Sequence, residues 1–328
     1  MKRVSGKQSN MATEKPESLS DKLLGAPTPS KASGVAFSLS AVLPVALSLV
    51  FLIVITALGL TKENGYEKKD WYLYCSYLLP QLSFALVAVW FLSYTKTPVS
   101  TAVKSQKGHP KYYIIALLLQ IGLFSLSELN ALFLELLGDF GYVDGGIMLP
   151  SMDGFGFVGV LLIVALFPAV FEEIMFRGVL LSGLKSLKSV TAILVCGALF
   201  SLYHQNPAQT LYQFCCGVAF AFVALKAGSI LPTVLAHFIN NATILTLTKL
   251  GINGFSTAVF VVIIAVSIVC LVVSVGYLLF LDKSGTCLGT NATEKSEEAG
   301  AKKRFFGCAG VGIAVCLLSW LLTLFTGL

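Results

Sequence analysis

Nine apolar runs succeed one another along this chain, at about 35–60, 71–94, 112–136, 156–183, 190–205, 209–227, 229–248, 255–281 and 306–327. A helix needs about 20 apolar residues to cross the hydrocarbon core of a bilayer, and only the run at 190–205 is clearly short of that. Within lipid every backbone N–H and C=O must be satisfied inside the protein, so runs of this kind form helices. The expected fold class is therefore all-α, a polytopic membrane helical bundle of about eight or nine transmembrane helices. Composition agrees: 56% of the 328 residues are hydrophobic and 12% are charged, against about 25% charged in soluble domains. A soluble protein is excluded on that ground. The net charge of +6 reflects basic loops that face anionic headgroups, and not nucleic-acid binding.

Lys and Arg accumulate in the connections on the cytoplasmic side of a membrane protein. With the amino terminus inside, 18 of the 23 basic residues fall in inner segments and 4 in outer loops, Arg177 being the remaining one. The connection 138–155 contains Asp139, Asp144 and Asp153 and no Lys or Arg. A cytoplasmic amino terminus is expected, in the plasma membrane of a bacterium. Residues 1–34, rich in Ser, Lys, Pro, Gly and Glu, read as a disordered cytoplasmic tail. Residues 35–136 form accessory transmembrane helices, 155–248 a core, and 255–281 a further crossing. A polar linker at 282–304 precedes a terminal helix at 305–328. The eight cysteines lie mostly in apolar runs without CxxC spacing and read as packing residues. The sequon at Asn291 lies in the inner linker, and that at Asn241 lies inside a crossing.

A few polar side chains interrupt the oil, and charges in hydrocarbon are costly and usually functional. Glu172, Glu173 and Arg177 stand in the fourth run, His204 near the end of the fifth, and His237 and Asn241 in the seventh. Residues four apart share a helix face, so Glu173 can pair with Arg177, and His237 projects with Asn241. Glu172, about 100° around from Glu173, has no partner on its own helix. At about 1.5 Å per residue, Glu172, His204 and His237 lie about 20, 24 and 17 Å from the inner lysines Lys185, Lys188 and Lys226. Three helices thus carry their unusual polar residue to a similar depth. A base, proton carriers and an amide donor at one level suit hydrolysis, although intramembrane Glu and His also line the ion paths of transporters. His109, in the basic loop KSQKGHPK, reads as a solvated loop histidine.

The stretches EEIMFR, FSLYH and HFINN resemble the EExxxR, FxxxH and HxxxN motifs of the CAAX protease and bacteriocin-processing family of intramembrane proteases, also called the Abi or CAAX prenyl protease type 2 family. The resemblance spans about 155–248. It implies an intramembrane endopeptidase acting on a membrane-associated peptide or protein, with lipid as its other partner. It further implies that Glu172 activates the water with His204, that His237 and Asn241 stabilise the oxyanion or protonate the leaving amine, and that Glu173 and Arg177 form a supporting pair. Metal use stays open: Glu172, His204 and His237 match a two-His-one-carboxylate zinc set, and a metal-free glutamate mechanism is the alternative. The family also contains self-immunity proteins, so a non-catalytic scaffold or bacteriocin-immunity protein stays open, as does a proton-coupled transporter, although no inverted repeat is visible. The active site is expected to open toward the cytoplasmic half of the bilayer, and 282–304 to lie in the cytoplasm.

Overall fold

The computed structural model describes residues 27–102, 107–185, 187–252, 254–283 and 295–328. Most of the tail, and residues 284–294 of the linker with Cys287 and Asn291, lie outside the described residues. Nine long helices are present among the described residues: α1 (Pro29–Ala57), α2 (Asp70–Thr95), α3 (Pro110–Asp139), α4 (Gly156–Gly183), α5 (Ser189–Tyr203), α6 (Thr210–Ala227), α7 (Leu231–Lys249), α8 (Thr257–Leu281) and α9 (Lys295–Gly327). The fold is an all-helical membrane bundle, without strands among these residues. Helix α1 begins at Pro29, inside the stretch expected to be tail, because Pro fits the first helical turn, where its missing N–H is not needed. Helix α9 likewise starts within the expected linker, at Lys295.

Seven of these segments are long and apolar enough to cross a membrane, with α6 counted from Pro207; α5 and α7 are not among them. Helix α5 has 15 residues, about 22 Å at 1.5 Å per residue, against a core of about 30 Å. Helix α7 has the length but carries His237, Asn240, Asn241 and several threonines. The two helices that fall short are those that bring histidines to the site.

Two kinds of contact hold the bundle. Small residues let backbones approach, as they do generally between membrane helices. A Cβ on Gly217 of α6 would lie 2.7 Å from the Cα of Gly197 on α5, and one on Gly312 of α9 would lie 2.7 Å from the Cα of Ser38 on α1. Polar bonds then pin the ends. At one end the Lys111 Nζ donates to Asp282 Oδ1 at 2.9 Å, Tyr112 donates to Asp282 Oδ2 at 2.8 Å, and Lys226 Nζ donates to the Asp282 carbonyl at 3.0 Å. These bonds join the start of α3 to the ends of α6 and α8. At the opposite end the connection 140–155 is tied down by Ser151 N–H to Asp70 Oδ1 at 2.8 Å, Tyr77 OH to the Met148 carbonyl at 2.8 Å and Val143 N–H to the Gly327 carbonyl at 2.8 Å. The seven described cysteines are free. His109 is exposed and has a local duty, its Nδ1 accepting the Lys111 N–H at the start of α3.

Candidate active site

Helix α4 is continuous from Gly156 to Gly183 but twice widens into π turns, at Leu161–Leu166 and Ile174–Leu180. Between them an α-helical stretch, Phe167–Glu173, carries both glutamates. Such widened turns cluster at functional sites because they re-aim side chains without ending the helix. Here they flank two adjacent carboxylates that face different surroundings.

Glu173 points into the core and is fully buried with Arg177. Its Oε1 accepts from Arg177 Nη1 at 2.9 Å and from His237 Nδ1 at 3.1 Å, and its Oε2 accepts from Thr233 Oγ1 at 2.8 Å. The Arg177 guanidinium lies 4.3 Å over the Phe200 ring and reaches the Gly217 carbonyl at 3.4 Å. Glu173 and Arg177 thus connect α4 to α5, α6 and α7. Charge-assisted bonds of this kind compensate the desolvation of a buried ion pair. They also fix His237, because a carboxylate can only accept: the imidazole Nδ1 carries the proton, and Nε2 faces away from Glu173.

Glu172 faces the other way, into a cavity of about 540 Å³ lined also by His204, His237, Asn240, Asn241, Tyr212 and Tyr77. Its Oε2 is buried without a hydrogen-bond partner, the His237 Nε2 standing 3.9 Å away. His204 is not inside a helix but caps the carboxyl end of α5. Its Nδ1 lies 2.7 Å from the Phe200 carbonyl, which can only accept, so the neutral ring has a bare Nε2. The next residue, Gln205, turns the chain with φ 52°, a left-handed value that costs a non-glycine residue about 1–3 kcal/mol. The residues on either side of this turn, His204 and Gln209, line the cavity.

Asn241 is held by neighbours whose roles the motifs did not disclose. Gln120 Nε2 of α3 donates to Asn240 Oδ1 at 2.7 Å, and Asn240 Nδ2 donates to Asn241 Oδ1 at 3.0 Å. The oxygen of Asn241 is therefore engaged and its NH2 is left for the cavity. Tyr212 joins the same Asn240 oxygen at 3.4 Å. Sequence reasoning passed over Gln120, Asn240, Tyr212 and Thr233. Thr233 could have been found, since it stands one turn before His237 on the same face. Gln120 gave a weaker signal, a lone amide in an apolar run.

The six residues singled out from sequence thus separate into two groups, with His237 touching both: Glu172, His204, His237 and Asn241 on the cavity, Glu173 and Arg177 behind it. Among the described residues no group of three or more His, Cys, Asp or Glu side chains is placed to hold a metal ion. The cavity wall includes Ile147 and Leu149 of the connection 140–155 and Thr248 at the end of α7, so the cavity lies toward the end of the bundle opposite Lys111, Lys226 and Asp282. The depth count agrees, since 17–24 Å from the inner lysines is past the middle of a core of about 30 Å.

Residues 154–243 match the family model Rce1-like, described as type II CAAX prenyl endopeptidase Rce1-like. Over these residues the chain is similar to the CAAX protease family. It runs from the start of α4 to the middle of α7 and contains Glu172, Glu173, Arg177, His204, His237 and Asn241. Among curated proteins and solved structures, nothing matches the chain at a significant level. The matched region supplies Glu172, His204, His237 and Asn241 of the cavity wall, while Tyr77 and Leu149 of the wall, and Gln120 bonded to Asn240, come from outside it.

Proposed function

We propose that this protein is an intramembrane endopeptidase that hydrolyses a peptide bond of a membrane-associated peptide or protein by a glutamate-activated water. The observation that carries this is the buried, unpartnered Glu172 Oε2 sharing a cavity with the bare Nε2 of His204 and the NH2 of Asn241. A water there donates one proton to Glu172 and its other hydrogen bond to His204, and its lone pair attacks the carbonyl carbon. Glu172 takes the proton as the new C–O bond forms. The oxyanion accepts from the Asn241 NH2, and from His237 Nε2 when that nitrogen is protonated. As the C–N bond breaks, the proton held by Glu172 passes to the leaving amine. Preorganised donors matter here because they act in a site shielded from bulk water.

The family description suggests a substrate with a prenylated cysteine near its carboxyl terminus. The test uses purified protein in detergent and two internally quenched peptides. One carries a farnesylated cysteine followed by three residues, and the other carries the same sequence without the lipid. Cleavage by the parent chain that is lost in Glu172→Gln supports the proposal, and cleavage that persists in the variant overturns it. Binding of both peptides without cleavage of either favours the scaffold or immunity alternative. A strong chelator should leave the rate unchanged, and a rate restored only by added Zn²⁺ would replace the glutamate mechanism.

A further inference from the structure

The cavity mouth and the basic residues occupy opposite ends of the bundle. Lys107, Lys111, Lys185, Lys188 and Lys226 gather where Asp282 ties α3, α6 and α8 together. At the other end, the connections 58–70 and 138–155 hold three lysines and six carboxylates. The cavity reaches this second end, where Ile147 and Leu149 line it beside Thr248. Loop lysine and arginine counts set the orientation of polytopic proteins, and the imbalance of 18 to 4 is large.

We propose that the cavity opens on the face of the membrane away from the cytoplasm, and that the segment to be cut reaches Glu172 from that side. This rests on the hydrolytic role of the cavity given above. It narrows the substrate class to peptides or membrane-anchored proteins whose cleavable segment is exposed on the non-cytoplasmic leaflet. The connection over the cavity suits a substrate that travels in that leaflet. It exposes Phe140, Val143, Ile147 and Phe155, the last 93% accessible, an apolar face of the kind that suits a headgroup boundary. Tyr77 and Asp70 fasten it back onto α2.

Two measurements separate the sidedness from the chemistry. Gly145→Cys and Lys107→Cys place thiols at exposed positions of the two ends, and a Cβ at Gly145 meets nothing within 4 Å. A membrane-impermeant maleimide is applied to intact cells, with the parent chain as the background for its native cysteines. Gly145→Cys should label at once and Lys107→Cys only after permeabilisation. The reverse pattern, or equal labelling of both, overturns the proposal. Sealed right-side-out vesicles should cut the unlipidated quenched peptide as fast as permeabilised ones. A tenfold rise on permeabilisation also overturns it. If detergent-solubilised protein cuts neither peptide, the hydrolytic role fails, and the thiol labelling still decides which side the mouth faces.

Discussion

Two regions meet on α4, and neighbouring residues of the same type serve them differently. On the core side, Glu173 is fully buried and accepts hydrogen bonds from Arg177, Thr233 and His237. On the cavity side, Glu172 presents a buried oxygen that accepts from no side chain or backbone group. One step along a helix is about 100° of rotation, enough to turn one carboxylate into the packed centre of four helices and the other into a cavity wall. The difference teaches that a carboxylate in a membrane is inert or available according to how many donors already hold it. Glu173, fully buried and held by three donors, is closed off from a water in the cavity.

The largest expected effect lies on the cavity side. Glu172→Gln keeps the shape and removes the base, so kcat should fall about 10²–10⁴-fold, the usual contribution of general-base catalysis, with unfolding in detergent unchanged. A variant that unfolds readily would erase the distinction between the two sides. On the core side, Arg177→Met leaves Glu173 as an uncompensated buried charge, and breaking such a pair costs about 3–5 kcal/mol. Thermal unfolding in detergent should show that loss directly. An Arg177→Met protein of normal stability and no activity would move Arg177 into the chemistry.

A subtler variant sharpens the comparison. Asn240→Asp replaces with an acceptor the NH2 that now donates to Asn241 Oδ1, so the Asn241 amide should turn its oxygen to the cavity. We expect kcat to fall about 10–100-fold at constant KM, below the 10²–10³ of losing an oxyanion donor outright. The same change made in an Asn241→Ala background should cost nothing further, and an additive loss would show that Asn240 does not act through Asn241. The smallest effect belongs to Thr233→Val, which removes one of the three donors of Glu173. A loss of about 1 kcal/mol in stability with normal turnover would keep Thr233 on the core side, whereas a shifted KM would place it at the cavity.

The expected extents of the crossings were legible because the bilayer imposes a length and an apolarity that any 20-residue window displays. The boundaries failed where local chemistry overrides composition: Pro29 starts α1 six residues early, inside a stretch whose Ser, Lys and Gly content resembles a tail. The site was legible through spacing, since His237 with Asn241 and Glu173 with Arg177 are separated by one helical turn. Gln120 was not, because it stands 120 residues from Asn240, and no local period links them.

The sequence by itself determined that this chain lives in a membrane, that its helices alternate in direction, and that its basic residues gather at one end, because hydrophobicity and charge act residue by residue. The tertiary structure alone decided which glutamate faces the cavity, which nitrogen of each histidine is bare, and toward which end of the bundle the cavity lies. Those depend on donors and walls supplied by other helices, and hydrogen bonds between distant segments leave no pattern along the chain. The short α5 shows the two levels together: its length was visible as a brief apolar run, but only the packed bundle shows that it stops at His204 in order to end at a cavity.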